Sequence, residues 1–99
     1  MWHEFDSGKS LGSIGSEYGV IVDEEYEEGA RVTLERDGHL APWSVTSGIY
    51  GSFMHTAFAS SEKEGRKKYA EMKDELVTIM RDDSSDSRHD RMCRFARVY

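Results

Sequence analysis

The stretch Trp43–Phe58, WSVTSGIYGSFMHTAF, decides the fold. Two β-prone runs flank Gly51-Ser52, and glycine followed by an unrestricted residue suits a two-residue type II′ hairpin loop. That loop sets a register: Tyr50 opposes Phe53, Ile49 opposes Met54, Ser47 opposes Thr56 and Val45 opposes Phe58. Side chains alternate across a strand, so two faces follow. Trp43, Val45, Ile49, Met54 and Phe58 are expected on a core face. Ser44, Thr46, Gly48, Tyr50, Phe53, His55 and Ala57 are expected on the opposite, open face.

Upstream of the hairpin, Tyr18–Tyr26 and Ala30–Arg36 read as two more strands. Glu27-Glu28-Gly29 supplies a three-residue loop with glycine in the left-handed position, which pairs Tyr26 with Ala30 and Val22 with Leu34. Tyr18, Val20, Val22 and Tyr26 then alternate onto one face. Asp37-Gly38 is a type I′ hairpin signal and predicts Leu34 opposite Ala41 and Val32 opposite Trp43. The core face then runs unbroken from Val20 through Val32, Leu34, Ala41 and Trp43 into the central hairpin. Pro42 lacks a ladder donor, so a bulge or bend is expected there.

Downstream, Ser61-Glu62-Lys63-Glu64 is a capping box that opens a helix. Tyr69, Met72, Leu76, Ile79 and Met80 recur at helical spacing, and the stripe must lie on the sheet's core face. The acidic, serine-rich stretch 82–86 ends the helix. Residues 88–99 carry four arginines against one aspartate, with Met92, Phe95, Ala96 and Tyr99 at helical spacing. Ser87 with Asp90 suits a short helix start. Three alternatives stay open for this tail: a helix or arm docked on the acidic body of its own or a neighbouring subunit, a disordered tail, and a basic arm for an anionic partner.

The predicted fold is therefore α+β: a four-stranded antiparallel β-meander with one long amphipathic helix (about 61–81) packed on one face, plus a short C-terminal helix or arm. Residues 1–17, rich in glycine and serine, are expected as a flexible lead-in. Residues 18–82 form the domain, and 83–99 a linker and basic arm.

Composition bounds the function. Ninety-nine residues make one domain with a small core, for which oligomerisation is the usual support when disulfides are absent. Cys93 is the single cysteine, which suits a reducing cytoplasm. No apolar run approaches the ~20 residues of a membrane span, and MWHEFDSGKS has no apolar signal segment. A net charge of −6 disfavours nucleic-acid binding, which needs a basic surface. Ser7-Gly8-Lys9-Ser10 matches only the end of a phosphate-binding loop, since His3 stands where the first glycine is needed.

No catalytic set is apparent. There is no nucleophile elbow, and His3, His39, His55 and His89 have no metal-ligand spacing. Neither a metal nor another cofactor is expected. Cys93 lies between Arg91 and Arg94, a basic setting for a thiol. His55, beside Tyr50, Phe53 and Thr46 and across from Arg31, marks the one plausible site. It reads as a self-contact between the open faces of a homodimer, as a small-ligand site, or as plain surface. The acidic run Glu24, Glu25, Glu27 and Glu28 reads as a solvated hairpin end or as a patch for a basic partner. The expected role is a small homodimeric protein-interaction module without catalytic activity. The alternatives are an acidic inhibitor or antitoxin-like protein and a small-ligand-binding domain.

Overall fold

A computed structural model describes residues 1–15, 17–27 and 29–99. Five antiparallel strands form one sheet in sequence order: β1 (Trp2–Glu4), β2 (Gly19–Tyr26), β3 (Ala30–Arg36), β4 (Trp43–Ile49) and β5 (Phe53–Ala59). Two helices, α1 (Glu62–Arg81) and α2 (Ser85–Val98), pack on one side. The α+β class and the meander agree with the sequence. The expectation of four strands falls one short, because Trp2–Glu4 of the lead-in pairs with Glu24–Tyr26. Three residues are too few to show a period of two. Besides the ladder, the ring of Trp2 packs 5.3 Å from that of Tyr26.

The three hairpins differ in how the sequence maps onto register. At β2–β3, Tyr26 faces Ala30 as expected, and Gly29 N–H donates to Tyr26 O at 2.8 Å. The left-handed conformation falls on Glu27, at φ +47, and not on Gly29; Glu28 lies outside the described residues. A bulge between Val20 and Val22 puts Val20 opposite Glu35, so it leaves the face that carries Val22.

At β3–β4, Leu34 faces Val45 and Val32 faces Ser47, four residues later than the Asp37-Gly38 turn predicts. Asp37 takes a positive φ and donates its N–H to Pro42 O at 2.7 Å, so residues 37–42 form a longer loop. Ala41 and Pro42 thus lie outside the ladder, and the missing proline donor costs nothing. A shift of four is even, so the faces of β4 survive it.

At β4–β5 the shift is one, and the faces do not survive. Ile49 faces Phe53 and Val45 faces Ala57. Ser52 N–H donates to Ile49 O at 2.9 Å and Gly51 has φ +75, which places glycine third in a type II turn and not first in a type II′ loop. The loop is therefore Tyr50-Gly51-Ser52. Phe53, His55, Ala57 and Ala59 turn to the helices, while Met54 and Phe58 become 78% and 40% exposed on the other side. The expected core positions of Met54 and Phe58, and the expected open-face positions of Phe53 and His55, are both reversed.

The core lies between the sheet and α1. Ala30, Val32, Leu34, Val45 and Ile49 meet Tyr69, Met72, Leu76 and Ile79, the apolar stripe read from the sequence. Ser61 caps α1 by accepting from Glu64 N–H at 3.2 Å, and the Glu64 carboxylate reaches back to Ser60. Gly65 lets the helix approach closely: a Cβ there would stand 3.3 Å from that of Trp43.

The tail takes the docked-helix alternative. Ser84, not Ser87, caps α2, and Asp82 accepts from Ser84 N–H, Ser87 Oγ and Arg91 Nε at 3.0, 2.5 and 2.9 Å. Those bonds fold α2 back beside α1. Phe95, 1% exposed, anchors it against Phe53 at 5.5 Å between ring centres, with the ring of Tyr99, at the helix's own end, 5.0 Å away.

Candidate functional site

The side of the sheet away from the helices is divided in two. The lead-in folds over the β2–β3 half. Ser10 Oγ donates to Asp23 at 2.8 Å, the Arg31 guanidinium lies 3.6 Å from the ring centre of Phe5, and Glu17 and Tyr18 donate their N–H groups to Glu35 at 2.9 and 2.8 Å. Asp23 and Glu35 are each 1% exposed. A charge buried so deeply needs partners. Asp23 has Arg31 at 2.9 and 2.6 Å and Thr33 at 3.1 Å besides Ser10. The bond to Asp23 also raises the Arg31 pKa, against the opposing effect of burial. This polar layer was missed from sequence. Its signal was there: once Tyr26 faces Ala30, Asp23 and Arg31 fall on diagonal positions of the same face.

Toward β5 the cover thins: Ser44 is still buried, Thr46 and Gly48 are half-buried, and Met54 and Phe58 are exposed, while a cleft of about 580 Å³ opens between this half and the lead-in. Arg31, Glu35, Thr46, Gly48, Tyr50 and Met54 border it. Gly48 forms a flat part of its wall, because a Cβ there would come within 2.7 Å of the Phe53 carbonyl oxygen. Thr46 and Thr56 share a hydrogen bond at 3.1 Å. Tyr50 donates to Glu25 at 2.6 Å; burial, then that bond, pushes the phenol up to about 12, so it remains a donor through the physiological range.

Of the residues singled out from sequence, Arg31, Thr46 and Tyr50 therefore meet at this cleft. Phe53 stands at its edge with its ring turned to Phe95. His55 lies on the helix side, its ring 6.1 Å from that of Phe95. It is the cross-strand neighbour of Ser47, and among the described residues neither His55 Nε2 nor Ser47 Oγ has a hydrogen-bond partner. A serine beside a histidine suggests a nucleophile and its base. Ser47 is 1% exposed beneath the helices, which denies a substrate access.

The acidic run does not form one patch. Glu24 points to α1, where Tyr69 and Lys73 donate to it at 2.5 and 2.8 Å. Burial opposes its ionisation, but these bonds and the lysine charge outweigh that and hold the carboxyl below its usual value. Burial and Glu24 together drive the Tyr69 phenol far up. Glu25 points the other way, to Tyr50 and to His3 at 3.5 Å, and Glu27 meets the N-terminal ammonium at 3.1 Å. Glu28 lies outside the described residues.

Among the described residues, no group of three or more His, Cys, Asp or Glu is placed to hold a metal ion, and no helix is long and apolar enough to cross a membrane. No protein-family model matches the chain, and no curated protein or solved structure matches it.

Proposed function

We propose that this chain is a homodimeric protein-interaction module without catalytic activity, and that it associates through the exposed outer strand β5 of its sheet. One observation carries the reading: Met54 and Phe58, large and apolar, stand 78% and 40% exposed on a strand of a domain whose core is small. Exposed apolar surface of this kind marks a contact, and a small domain gains stability when a second copy covers it. The proposed interface differs from the sequence expectation in its residues, with Met54 and Phe58 replacing Phe53 and His55. An intracellular, cytoplasmic setting without nucleic-acid partners is part of the same proposal, supported by the acidic charge and by the free thiol of Cys93. Light scattering over a range of concentrations tests it: the mass should reach twice 11.3 kDa. A monomer mass throughout would remove the reading.

The cleft favours a second reading, a small-ligand site at Arg31, Thr46 and Tyr50. Its volume falls within the few hundred to ~1,000 Å³ usual for such sites. Fragment binding followed by amide shifts would cluster at Thr46, Gly48 and Tyr50; scattered or absent shifts would exclude it. A basic partner held by Glu24, Glu25, Glu27 and Glu28 is the weakest proposal, since the first three already have partners within the chain.

A further inference from the structure

We propose that the contact is made by backbone pairing: β5 joins β5 of a second copy, antiparallel, about a twofold axis at Thr56. This rests on the homodimer reading above and names its geometry. The sheet has two edges. At one, β1 has three residues, two of them His3 and Glu4, which is the short and polar edge that resists further pairing. At the other, β5 has seven residues and no charged group, PheMetHisThrAlaPheAla in sequence. Only the inner strand β4 is equally free of charge. By composition β5 is an interior strand, yet it lies at an edge.

In an antiparallel ladder a residue's N–H and C=O point to the same side, and the side alternates along the strand. The Phe58 carbonyl accepts from Lys68 Nζ at 2.7 Å, away from β4. Met54 and Thr56 share that outward phase. Lys68 guards one end of the edge and leaves the centre open. A carbonyl has two lone pairs, so this bond does not bar a second donor.

A twofold axis at Thr56 sets Thr56 against Thr56 of the partner subunit, where each would exchange both backbone bonds. Met54 then faces Phe58 of the partner subunit, and the reverse pair repeats across the axis. The exposed apolar side chains cover each other on one face. A twofold axis across the strand makes the pairing antiparallel. The end of β5 next to α1 then lies beside the neutral loop Tyr50-Gly51-Ser52 of the second copy.

The test combines solution mass with a cross-link. The wild-type mass should be that of a dimer. Met54→Lys and Thr56→Pro should each halve it while circular dichroism stays native. The proline removes an outward donor and no ladder bond; if it nevertheless unfolds the chain, Met54→Lys and the cross-link decide alone. In a Cys93→Ser background, Thr56→Cys should form a symmetric disulfide on oxidation, since facing Cα atoms in such a pair lie roughly 5.5 Å apart. Phe58→Cys should not, because four residues of offset separate the two thiols by roughly 14 Å. A dimer that keeps its mass in Met54→Lys, or cross-links through Phe58→Cys and not Thr56→Cys, would overturn the edge pairing and leave the dimer standing. A wild-type monomer would overturn both.

Discussion

Glu24 ties the sheet to α1 through one carboxylate, shared between Tyr69 and Lys73. Hydrogen bonds to a charged group contribute more than neutral ones, but partial exposure reduces the gain. Glu24→Gln should lower the unfolding free energy in urea by about 1 kcal/mol at neutral pH. The pH dependence has a definite sign. The folded pKa of Glu24 lies below its ordinary 4.5, so its contribution is present above that value and lost as pH falls through the folded pKa. Wild-type stability should therefore drop more steeply in acid than that of Glu24→Gln; parallel curves would contradict the assignment. Gly51 makes a different kind of contribution. Nothing stands within 4 Å of a Cβ added there, so Gly51→Ala would pay only for its φ of +75. A loss of about 1–2 kcal/mol is expected in thermal unfolding. Its glycine is visible in sequence, but which position of the turn it fills is not. A Gly-Ser pair suits the first central position of a type II′ turn, and the same glycine suits the second of type II.

That one ambiguity sorts what the sequence reveals of each element. The four-residue error at β3–β4 was harmless, because strands repeat every two residues. The one-residue error at β4–β5 reversed β5, exchanging Met54 and Phe58 for Phe53 and His55. Alternation alone could not resolve it, since β5 is apolar on both faces. Helix α1 was readable in full from its capping box and stripe. Helix α2 was readable as a period but not as a docking site, because its seat is made by the reversed face of β5. Phe95 is the anchor of that seat, and Phe95→Ala should cost about 3 kcal/mol. The loss should appear as local opening. Amides of residues 85–98 would exchange faster in Phe95→Ala while those of β3 keep their protection. Equal acceleration throughout would mean that α2 is not a separable element.

At the scale of the molecule, the sheet is finished at β1 and unfinished at β5. The lead-in completes one half of the open side by giving partners to Asp23, Arg31 and Glu35, and stops short of Met54 and Phe58. None of this can be read from glycine and serine content, which speaks only against regular structure. Arg31, Thr46 and Tyr50 came together at the cleft because β3 and β4 kept their faces; His55 did not, because β5 lost its own. A second copy on β5 would turn two five-stranded sheets into one continuous sheet and leave the cleft open to solvent beside the joint. Amide exchange at Thr56 tests this most directly. At dimer concentration the Thr56 N–H should be protected in the wild type and exchange rapidly in Met54→Lys, with Ala57 protected in both. Rapid exchange at Thr56 in the wild-type dimer would show that the β5 edge is free and that the subunits meet elsewhere.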